Sequence, residues 1–227
     1  MLKKAIIIGG TGATGSQLVK KILLSDNWGK VTTIGRKPVL NGRKHAKLND
    51  IVLDNFKSLD TTKGLWAGHD VFFNCIGTTI KKVENPKEFK NVEVGISEIA
   101  AKLASEEKVK NASIISASGA NKNQWSKDWI HPLFYLKIMG QKEQTVLTKR
   151  FESTSIFRPG MLVRLSNNQQ SIIDIFLTKS GLGLPVDSLA SAMIYNQEIL
   201  NSHKDFIINK SNTFTGNKVI KAILKKR

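Results

Sequence analysis

Ala5-Ile6-Ile7-Ile8-Gly9-Gly10-Thr11-Gly12-Ala13-Thr14-Gly15 runs, after Ser16, into Gln17-Leu18-Val19-Lys20-Lys21-Ile22-Leu23-Leu24 near the start of the chain. A short apolar run, a glycine turn and an amphipathic stretch follow one another, the pattern of a buried strand leading to a helix. In such a unit the glycines let the backbone approach a pyrophosphate. The helix aims its free N–H groups and the positive end of its dipole at the same place. The spacing Gly9-x-x-Gly12-x-x-Gly15 differs from the Gly-x-Gly-x-x-Gly of most dehydrogenases, but the flanking strand and helix read correctly for nucleotide binding.

Outward from this unit the chain alternates strand and helix, which predicts an α/β fold: a doubly wound, mostly parallel sheet with helices on both faces. Further strands are expected at Lys30–Ile34, Ile51–Leu53, Asp70–Asn74, Ala112–Ile115 and Ser155–Phe157. Helical stretches are expected near Phe56–Trp66, from near Pro86 onward, and from about Pro132, well placed in a first turn, to about Lys149. Phe89, Val92, Ile96, Ile99 and Leu103 recur at helical spacing and read as core. Beyond Pro159 the alternation weakens. Ser171–Leu177 reads as helix, Leu184–Val186 as a short strand, Ser188–Leu200 as a helix capped by Asp187, and Phe206–Ile208 as a candidate strand. The tail Lys218–Arg227 reads as a final helix packed on the sheet. The expected organisation is one Rossmann-type domain over residues 1–227, with a core at 1–160 and a small C-terminal lobe at 161–227 on the substrate side.

Bulk properties narrow the class. A chain of 227 residues that is 41% hydrophobic can build one core. No run approaches the length of apolar residues that a membrane span requires. Met1-Leu2-Lys3-Lys4 leads at once into the first strand, and the lone Cys75 forms no internal disulfide, so a reducing, cytoplasmic setting without a leader is expected. His45, His69, His131 and His203 lack metal-ligand spacing and read as structural or surface residues, so no metal is expected. The net charge is +17, yet arginine occurs only at Arg36, Arg43, Arg150, Arg158, Arg164 and Arg227. Lysine therefore supplies nearly all the positive charge, whereas readers of nucleic acid lean on the bidentate arginine fork. The charge should favour a polyanionic cofactor without specifying a nucleic-acid partner.

Four loops should meet at the carboxyl ends of the strands, where open α/β sheets bind ligands. One is the glycine turn. Another is Gly35-Arg36-Lys37, where NAD-binding chains place a carboxylate on the ribose diol. Two cations there instead suit the extra phosphate of NADPH, with Arg43, Lys44 and Lys47 reinforcing the field. Asp54, after the third strand, can accept from the adenine amino group. Cys75-Ile76-Gly77-Thr78-Thr79 follows the fourth strand, and Gly77 lets the chain pass close to a cofactor ribose. Cys75 itself reads as a small buried residue.

These segments together resemble the atypical short-chain dehydrogenases/reductases of the Tat-interactive-protein oxidoreductase family, whose extended relatives also use the wider glycine spacing. The resemblance is carried by Ile8–Leu24, Val31–Lys37, Gly68–Val71, Ile76–Thr79, Ile114–Ala120 and Ser155–Gly160. It implies a Rossmann fold that binds NADPH. Pyrophosphate contacts fall on Thr11, Gly12, Ala13 and Thr14, beside Gly9 and Gly15. Contacts to the 2′-phosphate fall on Arg36 and Lys37, and those to ribose and nicotinamide on Ile76, Gly77, Tyr135 and Leu162.

The resemblance also implies a catalytic Tyr-x-x-x-Lys pair helped by a serine, Ser118 or Ser116, with Ser118 favoured. In Tyr135-Leu136-Lys137-Ile138-Met139 the lysine of that motif is replaced by Met139. Lys137 points about 200° around the helix, and Lys142 returns to the right face about 4.5 Å too far along the axis. Without the motif ammonium, Tyr135 is expected to titrate near its ordinary value of about 10. An insertion relative to the family, Asn121–His131, carries Trp125 and Trp129 and is expected near the substrate mouth.

Two readings stay open. One is an NADP(H)-binding protein with weak or no redox activity that works through protein partners. The other is an NADPH-dependent carbonyl reductase using Tyr135 with Ser118 or Ser116 on an unidentified small molecule. A basic adaptor for nucleic acid or anionic membrane is a minor third. If the charge serves no specific partner, nucleic-acid binding is weak, blind to sequence and lost steeply as salt rises. Filter-binding titrations over a salt series check this, and tight sequence-selective binding at physiological salt would move the chain to another class.

Overall fold

The computed structural model describes residues 1–79, 82–129, 131–164, 182–200 and 210–225. Seven parallel strands form one sheet: β1 (Lys3–Ile8), β2 (Trp28–Gly35), β3 (Leu48–Val52), β4 (Val71–Asn74), β5 (Asn111–Ile115), β6 (Ser153–Arg158) and β9 (Lys210–Thr215). Their spatial order is β3-β2-β1-β4-β5-β6-β9, so the winding reverses between β1 and β4. That reversal opens the crevice that α/β sheets use for ligands. A separate two-stranded ladder joins β7 (Met161–Val163) to β8 (Gly183–Pro185).

Alternation along β1 shows why both faces are covered. Ala5 and Ile7 point into one core with Val31, Val71 and Phe73, while Ile6 and Ile8 point into the other with Ile34 and Phe72. The first core is closed by α1 (Ala13–Leu24), α5 (Val186–Leu200) and α6 (Asn217–Leu224). The second is closed largely by α3 (Ile96–Glu106), with Val146 of α4 (Pro132–Leu147). Trp28 tilts against Phe73 with centroids 5.9 Å apart, and Trp66 meets Phe72 edge-on at 5.5 Å.

The helix expected from Pro86 is present as α2 (Pro86–Lys90), with Pro86 in its first turn and Asn85 accepting the Glu88 amide. It continues through a π-helical turn, Asn91–Gly95, into α3. Phe89, Ile96 and Leu103 are buried, while Val92 and Ile99 pack at the edge. The stretch expected as a helix near Phe56–Trp66 is a short 3-10 segment, Phe56–Thr62. The final helix packs as expected, burying Ile220 and Ile223. Residues 171–177 and 206–208 lie outside the described residues, and the seventh strand begins at Lys210. Residues past 160 therefore supply a strand and two helices to the main layers as well as β7 and β8.

His69 is a buried, satisfied core residue. Its Nδ1 donates to the Trp66 carbonyl at 2.8 Å, which leaves Nε2 to accept from the Thr32 hydroxyl at 2.9 Å. Burial holds its imidazole below the ordinary value, against the upward pull of that carbonyl. The unfolded chain therefore takes up the proton first as pH falls through about 6.5. Stability contributed by neutral His69 is present above that point and is lost as pH drops toward the folded value. Urea unfolding at a series of pH values should show this loss beginning below about pH 6.5, and His69→Gln should remove that part of it.

Candidate cofactor and active site

Where β1 gives way to α1, the backbone leaves no room for side chains. Gly9 has φ +77°, and a Cβ there would stand 2.5 Å from the carbonyl carbon of Cys75. A Cβ on Gly15 would stand 2.1 Å from the Gly9 carbonyl oxygen. The turn closes through the Gly12 amide, which donates to the Gly9 carbonyl at 3.0 Å. Gly12 also begins α1 without a side-chain cap, and no acidic residue occupies the first turn. An exposed, uncapped helix start walled by glycine fits a diphosphate. Thr11, Gly12 and Ala13 are exposed around it, and Thr14 is buried. Beside the turn lies a cleft of about 460 Å³, bordered by Thr11, Lys20, Val39, Arg43 and Lys44. Another cleft, of about 510 Å³ between α1 and α5, lies near Asn27 and Glu198, by the amino ends of β1 and β2.

Arg36 and Lys37 are exposed after β2, with the Arg36 guanidinium 5.7 Å from the Phe56 ring centroid. Asp54 is exposed after β3. Asp50, in β3, anchors the loop between β2 and β3 by accepting the Val39 amide at 2.9 Å, and it accepts the Thr33 hydroxyl at 2.5 Å. Ile76 is buried and its amide donates to Asn74 Oδ1 at 3.1 Å, while Gly77 is exposed. Leu162 lies half-buried in β7.

The candidate catalytic residues divide in two. Ser116 is buried, and its hydroxyl donates to Glu143 Oε1 at 2.6 Å. Glu143 in turn accepts both Nε and an Nη of Arg158, at 2.7 and 2.6 Å. That bidentate contact raises the already high pKa of Arg158. Ser118 is exposed, and its amide donates to the Pro159 carbonyl. Tyr135 stands half-buried in the first turn of α4, its ring centroid 6.0 Å from that of Phe89. Its phenol does not stay near 10. Burial, and secondarily the Glu93 carboxylate, push it up to about 12. Burial likewise drives the Cys75 thiol up to about 12, consistent with a packing residue and not a nucleophile.

Met139 is 3% exposed, in an apolar cluster with Phe89, Ala117, Phe134 and Ile138. One turn further on, the Lys142 ammonium is buried, donating to the Ile76 carbonyl at 2.5 Å and to Glu93 Oε2 at 3.0 Å. Glu93 and Glu143 had no sequence signal as site residues, since carboxylates on helices usually face water. The 121–131 segment leads into α4, Trp125 and Trp129 being 69% and 57% exposed.

A parallel sheet whose winding reverses beside an uncapped glycine turn is the arrangement of a Rossmann-type nucleotide-binding fold. A family described as NAD(P)H-binding matches residues 9–196, and the chain belongs to it. Within it the chain is 33% identical to the HTATIP2 protein of Rattus norvegicus over 83% of its own length and 74% of that protein, which bears out the resemblance stated from the sequence. It is 31% identical to "Protein FMP52, mitochondrial" of Debaryomyces hansenii, over 78% of this chain and 74% of that one. The crystal structure of the oxidoreductase ylbE from Lactococcus lactis superimposes with a TM-score of 0.64 at 17% identity, covering 98% and 97% of the two chains. At that identity the match establishes the fold alone.

The fungal relatives overturn the cytoplasmic assignment, since they carry "mitochondrial" in their names. The inference failed because a lone cysteine reports only that no internal disulfide forms, not which compartment holds the chain. Among the described residues, no helix is long and apolar enough to cross a membrane.

Gly15→Ala drives a methyl into the Gly9 carbonyl. It should cost about 1–3 kcal/mol of stability and weaken nicotinamide-nucleotide binding at least tenfold. Urea unfolding and calorimetric titration check the two effects.

Proposed function

We propose that this chain binds NADPH in preference to NADH and, with Met139 in place of the motif lysine, is a poor redox catalyst whose cofactor-bound form serves a binding or regulatory role. The diphosphate would lie on Thr11, Gly12, Ala13 and Thr14, with Gly9 and Gly15 giving it room. The 2′-phosphate would meet Arg36 and Lys37, and Asp54 would receive the adenine amino group. Ile76, Gly77, Tyr135 and Leu162 would border the ribose and nicotinamide in a single domain. NADPH bound there would supply a hydride.

The observation that carries this reading is the pairing of a buried, apolar Met139 with a phenol raised to about 12. An ammonium next to tyrosine stabilises phenolate, whereas an apolar neighbour does the reverse. A relay must exchange its proton near the working pH to be efficient, and general acid–base help is typically worth about 10²–10⁴ in rate. Tyr135 remains protonated at pH 7 and returns its proton reluctantly. A second reading, an active carbonyl reductase, is favoured by the half-exposed Tyr135 itself.

For the cofactor, no acidic residue ends β2. Charge-assisted contacts to the extra phosphate should favour NADPH by about ten- to a hundredfold in affinity. Arg36→Ala should remove most of that difference, and equal affinities for both nucleotides in the native protein would sink the assignment.

For the chemistry, alcohol oxidation by the native protein needs phenolate at Tyr135. Its rate should therefore be very low at pH 7 and rise about tenfold per pH unit toward pH 10. Met139→Lys should raise turnover on a panel of aldehydes and ketones by about a hundredfold or more while lowering thermal stability, because it buries an ammonium among Phe89 and Phe134. Tyr135→Phe added to that variant should abolish the gain. Robust native turnover at pH 7 that Tyr135→Phe eliminates would favour the second reading.

A further inference from the structure

The Lys142–Glu93 pair was given no role in holding the cofactor above, yet each residue is only 2% exposed. Burying two ions is expensive, and apolar residues of similar volume often serve stability equally well. What distinguishes this pair is the backbone it holds. The ammonium takes the carbonyl of Ile76, and the same carboxylate that takes the ammonium through Oε2 accepts the Thr78 amide through Oε1 at 2.7 Å. One ion pair thus grips the peptide groups on both sides of Gly77. Around Gly77, the space a Cβ would occupy has Glu93 Oε1 as its near neighbour, at 3.7 Å. Glu93 enters from Asn91–Gly95, the π-helical turn that interrupts the helix between α2 and α3. Such single-turn bulges concentrate at functional sites because they re-aim a side chain that a regular helix would direct elsewhere.

We propose that Lys142 is a positioning residue for the nicotinamide cofactor. With Glu93 it fixes the Ile76-Gly77-Thr78 turn in the shape that receives the cofactor ribose. The ammonium that the family motif would present to the ribose at position 139 acts here from one helical turn further along, through the backbone of the turn. This rests on the reading of Ile76 and Gly77 as cofactor contacts. It accounts for a site built to hold a nucleotide without activating Tyr135, since the amine is spent on a carbonyl and a carboxylate. Binding and proton transfer, which one lysine serves in the motif, are separated.

Two double variants of the full chain test this, and neither leaves a lone buried charge. Lys142→Met with Glu93→Gln keeps an amide oxygen for the Thr78 N–H and takes only the donor from the Ile76 carbonyl. Lys142→Met with Glu93→Leu removes both contacts. Dissociation constants for NADPH are measured by calorimetric titration. Exchange of the Thr78 amide is followed by NMR without cofactor, and thermal unfolding verifies that each variant is folded.

The Met/Leu variant should bind NADPH at least tenfold more weakly and exchange Thr78 at least tenfold faster. The Met/Gln variant should keep Thr78 exchange near native and lose less affinity than the Met/Leu variant. A pair that matters only for stability would move the unfolding temperature and leave both other readouts alone. A folded Met/Leu variant with native affinity overturns the proposal, whatever its Thr78 exchange. Faster Thr78 exchange in a protein whose native form binds neither NADPH nor NADH would refute the cofactor reading instead. Lys142 would then be left as a clamp with no cofactor to position.

Discussion

No side chain fits between Gly9 and the peptide that joins Cys75 to Ile76, and the geometry of the crevice follows from that closeness. β1 and β4 are the neighbours at which the winding reverses, so the chain leaves them in opposite directions. The Cys75 amide donates to the Ile8 carbonyl at 3.0 Å, which carries the ladder as far as it can go before the turns diverge. With a side chain at position 9 the turns would be pushed apart. The start of α1 would then no longer share a crevice with Ile76 and Gly77. The apolar strands supply the adhesion, but a contact between two backbones sets the shape.

The charges that organise the site are the buried ones. The surplus of lysine over the surface is spread through water and salt, where it is screened within about 8–10 Å. It can favour a polyanion arriving but fixes no atom in place. Lys142, Glu93 and Glu143 are almost fully removed from solvent, and Arg158 is partly so. Buried ions that lose a partner are strongly destabilising, so each pair holds its geometry firmly. The site therefore has a rigid electrostatic frame inside a diffuse positive surface.

Much of this was legible in the sequence because it is written in local pattern. The continuous apolar run in β1, the glycines after it, and the proline at the start of α2 and of α4 each announce their element without help from the rest of the chain. Met139 was legible for the same reason, as a gap in a short motif. Lys142 was visible as a lysine on the correct face, but its partner was not. Glu93 lies buried on a π-helical turn, and nothing in Asn91-Val92-Glu93-Val94-Gly95 forecasts that extra residue. The elevated phenol of Tyr135 was missed on the same account, since burial and the Glu93 carboxylate both act on it through tertiary placement. Past residue 160 the pattern fails because short strands and small ladders are fixed by what they pack against, not by their own period.

Adjacent residues on α4 then explain how the helix is held. Lys142 ties it to the turn after β4 and to the helix carrying Glu93, while Glu143 ties it to Ser116 after β5 and Arg158 at the end of β6. Opposite charges at consecutive positions are thus drawn toward two different sets of loops, and the helix is pinned near its middle from both sides. Tyr135 stands two turns before these anchors, where aromatic contacts with Phe89 and the adjoining apolar cluster replace ion pairs. The strongly anchored part of α4 faces the turn after β4 and the strand ends, and the part carrying the Tyr135 hydroxyl is more open to solvent and packs on aromatic rings. A helix arranged this way is held by ion pairs near its middle and by apolar packing near its start.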